Sequence, residues 1–214
     1  MKQLTFWFDP VSPYAYLAFE HLPLALQGCS VAVNYRPVLF AGLLAHWGQK
    51  GPAEIEPKRA WTFRQVAWQA HVLGIECQTP TQHPFNPLPL LRLGLASAAG
   101  GGLPNRRVVE LLMHHAWRTG ADANDAARLR ELHDLVAPLR DPASVAVKDE
   151  LRAHTEAAVG RGIFGVPTFD LDGQLFWGLD ALAMVRARLL GDPWFDGPAW
   201  DAAGAARPGV RRPG

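Results

Sequence analysis

Cysteine is scarce in this chain. Its 214 residues hold two, Cys29 and Cys77, far apart and in no metal-binding spacing. They read as buried free thiols in a reducing, cytoplasmic setting. No Cys-x-x-Cys pair exists, so dithiol redox chemistry has no sulfur to work with. The eight histidines offer no metal site. His114 and His115 are adjacent, so they point about 100° apart on a helix. Neither a His-x-x-x-His pair nor a Glu-x-x-His cluster occurs. A Gly-rich phosphate loop is also missing, since Gly100-Gly101-Gly102 reads as a helix cap and linker. No run nears the roughly 20 apolar residues of a membrane helix, and the N-terminus lacks the basic and apolar segments of a secretory leader. Neither sign of charge dominates: 21 Lys+Arg stand against 20 Asp+Glu, a net charge of +1. That balance gives no pull toward nucleic acid or an anionic membrane.

What the chain has in quantity is apolar surface. Hydrophobic residues make up 49% of it, ample for a packed core. The length suits one globular unit, or a core domain with a large insertion. Eight tryptophans are many for this length and suit aromatic-lined surfaces as well as plain core packing.

Leu4–Phe8 is apolar throughout and reads as a strand buried on both faces. Pro13 fits the first turn of a helix, where its missing N–H costs nothing. Tyr14, Leu17, Ala18, Leu22 and Leu26 recur at helical spacing, and Gly28 closes the helix. Val31–Pro37 alternates as a second strand, which completes a βαβ unit with a parallel pair. From about Leu39 to Gly162 the pattern is helical, over about 53–73, 87–100, 105–119, 125–136 and 143–161. Thr168–Leu171 and Gln174–Trp177 flank Asp172-Gly173, a hairpin signal, and a last helix covers about Leu179–Leu190. The order β-α-β, helices, β-β-α predicts an α/β, thioredoxin-like fold with an inserted all-helical domain. Residues 1–38 and 163–195 form the thioredoxin-like part, 39–162 the insertion, and 196–214 a flexible tail.

Two short stretches carry the chemistry. Thiol-handling folds place a cysteine where the first helix opens, because the first turn leaves amide N–H groups unpaired. Here that slot holds Ser12, within Phe8-Asp9-Pro10-Val11-Ser12-Pro13-Tyr14. A serine hydroxyl cannot do redox chemistry, but it can donate a hydrogen bond to the thiolate of a bound cofactor. The second stretch is Phe164-Gly165-Val166-Pro167-Thr168, where a proline precedes a strand and forces Val166 extended. A cis Val166–Pro167 bond would expose the Val166 backbone for antiparallel pairing with an extended peptide. An ordinary loop proline is the alternative.

These stretches, with Arg36-Pro37-Val38-Leu39 and Phe176-Trp177-Gly178-Leu179-Asp180, resemble the 2-hydroxychromene-2-carboxylate isomerases. Those enzymes are related to kappa-class glutathione transferases and have a DsbA-type thioredoxin fold. The likeness runs to about Phe195. It implies glutathione as the cofactor, with Ser12 bonded to its sulfur and Val166 with Pro167 clamping its cysteinyl unit. Leu179 and Asp180 would take the γ-glutamyl end, Asp180 pairing with the ammonium, although the helix dipole alone also favours a carboxylate there. Lys58 matches a lysine near the glycine carboxylate, or is a solvated helix-start lysine. Gln49 falls where relatives often have Asn, and Asn86 resembles a position near the substrate, or is a plain turn asparagine. Ala181 departs from the family, which often has Arg there.

The implied reaction opens and isomerises a hydroxychromene carboxylate by transient thiolate addition. Trp61, Phe63, Trp68 and Phe85 of the insertion are candidate walls for a flat aromatic substrate, or else core. A kappa-like transferase of small electrophiles and an inactive glutathione-binding module share the same motifs. The resemblance also implies a homodimer.

Overall fold

The computed structural model describes residues 1–205. Strand β1 (Lys2–Phe8) is joined through helix α1 (Pro13–Ala25) to β2 (Val31–Pro37), and the two strands pair in parallel from Lys2↔Val31 to Phe8↔Pro37. Strand β3 (Thr168–Leu171) runs antiparallel to β1, and β4 (Gln174–Trp177) antiparallel to β3, giving the order β2-β1-β3-β4. The β3–β4 turn has positive φ at both Asp172 and Gly173, the backbone a two-residue hairpin of this hand requires. Between β2 and β3 come α2 (Phe40–His46), α3 (Glu56–Leu73), α4 (Leu88–Ala96), α5 (Arg106–Trp117), α6 (Ala126–Val136) and α7 (Val145–Gly160). Helices α8 (Leu182–Leu189) and α9 (Pro198–Gly204) follow the sheet. No helix among the described residues is long and apolar enough to cross a membrane.

Strand β1 is central, which explains its unbroken apolar sequence. Leu4, Phe6 and Phe8 face α1, where Phe6 stacks on Phe8 at 5.6 Å and on Phe169 at 5.2 Å between ring centroids. Trp7 faces the other way, into a smaller cluster with Val38, Leu43, Ala158, Ile163 and Val166. The larger core does not stop at the sheet domain. Val109, Leu112, Met113 and Trp117 of α5 belong to it, and Trp117 stacks on Tyr16 of α1 at 6.3 Å.

Two elements depart from the sequence reading. Helix α2 was not anticipated, because it is seven residues long, contains Gly42 and has no capping side chain of its own. Its first amide, Phe40 N–H, instead donates to Asp9 Oδ2 at 2.9 Å, a cap supplied from 31 residues away. Residues 198–204 are helical where a tail was expected from 196 onward. Trp200 packs there against Phe176 at 5.7 Å and Phe195 at 5.4 Å. Residues 206–214, the rest of that expected tail, lie outside the described residues.

Trp117 fastens the insertion to the sheet. It is fully buried, and its indole N–H donates to Pro10 O at 2.7 Å. Trp117→Ala removes a large buried ring and leaves that carbonyl without its donor, so a loss of about 3–5 kcal/mol of stability is expected. Urea denaturation of the variant beside the parent chain measures it.

Candidate active site

The turn between β1 and α1 is tied down on every side. Asp9 is fully buried; its Oδ1 accepts Val11 N–H and its Oδ2 accepts Phe40 N–H, both at 2.9 Å. Ser12 N–H donates to Asp9 O at 3.0 Å. Ser12 then caps α1, its Oγ accepting Ala15 N–H at 3.2 Å. With Pro13 lacking an N–H, the Tyr14 amide is, among the described residues, the open donor of the first turn.

The Ser12 hydroxyl is itself buried and donates to Val166 O at 3.3 Å, long for an O–H···O bond. The Val166–Pro167 peptide is cis. Pro167 O accepts Gly178 N–H at 3.0 Å, which sets the Trp177–Asp180 segment beside Val166. Glycine is needed at 178, where φ is +106° and a Cβ would collide with the Asp180 carboxylate. At Gly165 the Trp177 indole packs directly on the backbone, and a Cβ there would sit 2.7 Å from Trp177 Nε1 unless that ring shifted.

These elements border one cavity of about 1230 Å³. Ser12, Val166, Pro167, Leu179 and Asp180 line it from the sheet side. Gln49, Lys58 and Trp61 line it from the insertion, so these eight candidates share one space. Asn86 does not. Its Oδ1 accepts Leu88 N–H at 3.1 Å, and its backbone pairs with the Asn124 side chain, which makes it a turn residue opening α4. Of the aromatic candidates, Phe63 and Phe85 also line the cavity, while Trp68 stands 65% exposed on the outer face of α3. Ala181 is buried in the core, so that position turns away from the cavity. Neither cysteine lines it.

Among the wall residues that sequence reasoning missed are Tyr14, Gln65, Arg59 and His83. Tyr14 O–H donates across the cavity to Gln65 Oε1 at 2.7 Å, and burial with the nearby Asp180 charge pushes its pKa up. Arg59 joins Lys58 on the basic side. His83 binds the backbone of Val11 at 2.8 Å. Gln65 lies one helical turn beyond Trp61 on α3, a signal present in the sequence. His83 reaches the site only through the long 74–87 loop.

A family model described as a DSBA-like thioredoxin domain matches residues 3–190. The chain belongs to that family. Within it, this DsbA-like chain is similar to glutathione S-transferase kappa 2 of Caenorhabditis elegans, at 30% identity over 92% of this chain and 95% of that protein. It is also similar to a 2-hydroxychromene-2-carboxylate isomerase of Sphingobium xenophagum, at 27% identity over 88% of this chain and 98% of that one. A solved 2-hydroxychromene-2-carboxylate isomerase structure has a TM-score of 0.76 against it at 21% identity, covering 95% of this chain and 100% of the other. The relatives of this DsbA-like domain are thus isomerases and glutathione transferases, and at the helix opening it carries Ser12-Pro13-Tyr14-Ala15 with no sulfur.

Burial raises the Asp9 carboxyl to about 7, against the pull of its two amide donors. In the unfolded chain it titrates near about 3.9. Between those values the folded chain keeps a proton that the unfolded chain has released. The resulting stabilisation is complete below the lower value and is lost as pH rises through the upper one. The melting temperature should therefore fall from about pH 4 to about pH 7 more steeply than that of Asp9→Asn. Calorimetry across that range checks it; parallel curves would show that Asp9 titrates normally.

Proposed function

We propose that this DsbA-like protein is a glutathione-dependent isomerase of an unsaturated aromatic carboxylate such as 2-hydroxychromene-2-carboxylate. The observation that carries the reading is the meeting of a buried Ser12 hydroxyl, a cis-proline backbone edge and an unpaired helix-opening amide in one large cavity. The donor set suits glutathione. Val166 presents backbone groups for an extended peptide. Asp180 suits an ammonium, and Lys58 a carboxylate at the opposite wall; neither takes part in an ion pair among the described residues. At about 1230 Å³ the cavity exceeds the roughly 300–1000 Å³ of a typical small-molecule pocket, which leaves room for a second ligand.

When bound, glutathione supplies a thiolate nucleophile that adds to a conjugated carbon, frees the neighbouring bond to rotate, and leaves again unchanged. The residues of the chain hold it in that form. A peptide paired with the Val166 backbone would compete for its carbonyl and leave the Ser12 O–H free to donate a hydrogen bond to the sulfur instead. The Ser12 O–H, the Tyr14 amide and the α1 dipole then favour the ionised thiol. Holding a thiol mostly ionised at neutral pH needs only roughly 2–3 kcal/mol, within reach of one charged hydrogen bond plus the dipole. Phe63, Phe85 and Trp61 offer flat apolar surface to the substrate.

The similarity to a kappa transferase favours a second reading, conjugation of glutathione to small electrophiles at the same site. Assay of a chromene carboxylate beside a chlorodinitrobenzene-type electrophile separates the two by whether glutathione is returned or consumed. Ser12→Ala should lower turnover about 10- to 1000-fold, the cost of losing one preorganised donor. Undiminished turnover would reduce Ser12 to a helix cap. No heat-stability gain from added glutathione would point to a different ligand.

A further inference from the structure

His83, in the loop between α3 and α4, places Nε2 at 2.8 Å from Val11 O. A carbonyl oxygen only accepts, so this nitrogen carries the hydrogen and Nδ1 is bare. Nδ1 is buried and, among the described residues, without a partner. The ring stands edge-on to Phe63 at 5.0 Å and to Phe85 at 6.2 Å, and lies 5.6 Å from Trp117. Protonation would place a second N–H against this wall with no acceptor. Burial accordingly pushes the His83 pKa down.

The position of that bond matters more than its strength. The Val11–Ser12 peptide has its N–H held by Asp9 O and its C=O held by His83. The peptide before it has its N–H held by Asp9 Oδ1 and its C=O held by Trp117 Nε1. Two consecutive peptide planes are therefore fixed at both ends, and in each the carbonyl is held by a side chain of the helical insertion. The second plane leads directly into Ser12. Without the His83 donor, that plane can turn, and its carbonyl is free to face an anion bound at the helix opening.

We propose that His83 is a positioning residue for Ser12: its Nε2–H fixes the peptide plane leading into Ser12 and so aims the hydroxyl. The sulfur-directed part of this inference rests on the glutathione reading above.

The test compares His83→Phe, which keeps a ring and loses the donor, with His83→Gln, which restores an N–H at similar reach. In His83→Phe the bound glutathione thiol should titrate at higher pH. Its kcat should fall roughly 3- to 10-fold, the worth of one neutral hydrogen bond, at an unchanged KM for glutathione. His83→Gln should recover most of both. Two ligand-free measurements stand apart from that cofactor. The imidazole nitrogen spectrum of the unaltered protein should show the Nε2–H tautomer, and the Ser12 amide resonance should move in His83→Phe and return in His83→Gln. An Nδ1–H tautomer, two variants equally impaired, or two variants like the parent would overturn the proposal. A parent protein in which added glutathione shows no thiolate absorbance would instead overturn the functional reading, while the Ser12 resonance still decides whether His83 positions that turn.

Discussion

The turn from Asp9 to Ser12 has to be rigid before anything else in this cavity has meaning. A turn left to itself would satisfy its polar groups with water and wander. Here the buried Asp9 carboxyl group spans two amides, one in the turn and one opening α2. Trp117 and His83 close over the two carbonyls from the other side. The fixed turn delivers Ser12 to the start of α1 with its hydroxyl facing Val166. Sheet, first helix and insertion thus share one core and one network of hydrogen bonds, and the site lies at their junction.

The fold was largely legible because its strong signals are local. The unbroken apolar β1, the Asp-Gly hairpin and the Pro13 helix start each depend on a few neighbouring residues, and each sits where the pattern placed it. Helix α2 was hidden because its cap is Asp9, which only the folded chain brings near. Helix α9 was hidden by a Gly- and Pro-rich sequence whose order comes from Trp200 packing on Phe176 and Phe195. Both are cases where tertiary contact overrides local preference.

The candidate site was legible for the same reason and to a similar extent. Ser12, Val166 and Asp180 stand in short motifs whose backbone demands are written in the adjacent Pro13, Pro167 and Gly178. Gln49 and Lys58 came from the resemblance and Trp61 from the aromatic content of the insertion, and all three reach the cavity. Asn86, also taken from the resemblance, does not line the cavity; its side chain caps α4, the turn role that was its alternative. His83 was passed over because a lone histidine among prolines carries no pattern. Its place beneath Val11 follows only from how the insertion docks.

The central claim is that the Ser12 hydroxyl, now donating to Val166 O at 3.3 Å, is released to a ligand sulfur when glutathione pairs with the Val166 backbone. A crystal structure with glutathione bound tests it most directly. The account predicts the sulfur within hydrogen-bonding distance of Ser12 Oγ and the Tyr14 amide, with the Ser12–Val166 bond broken. A sulfur bound away from the opening of α1, with Ser12 still bonded to Val166, would contradict it.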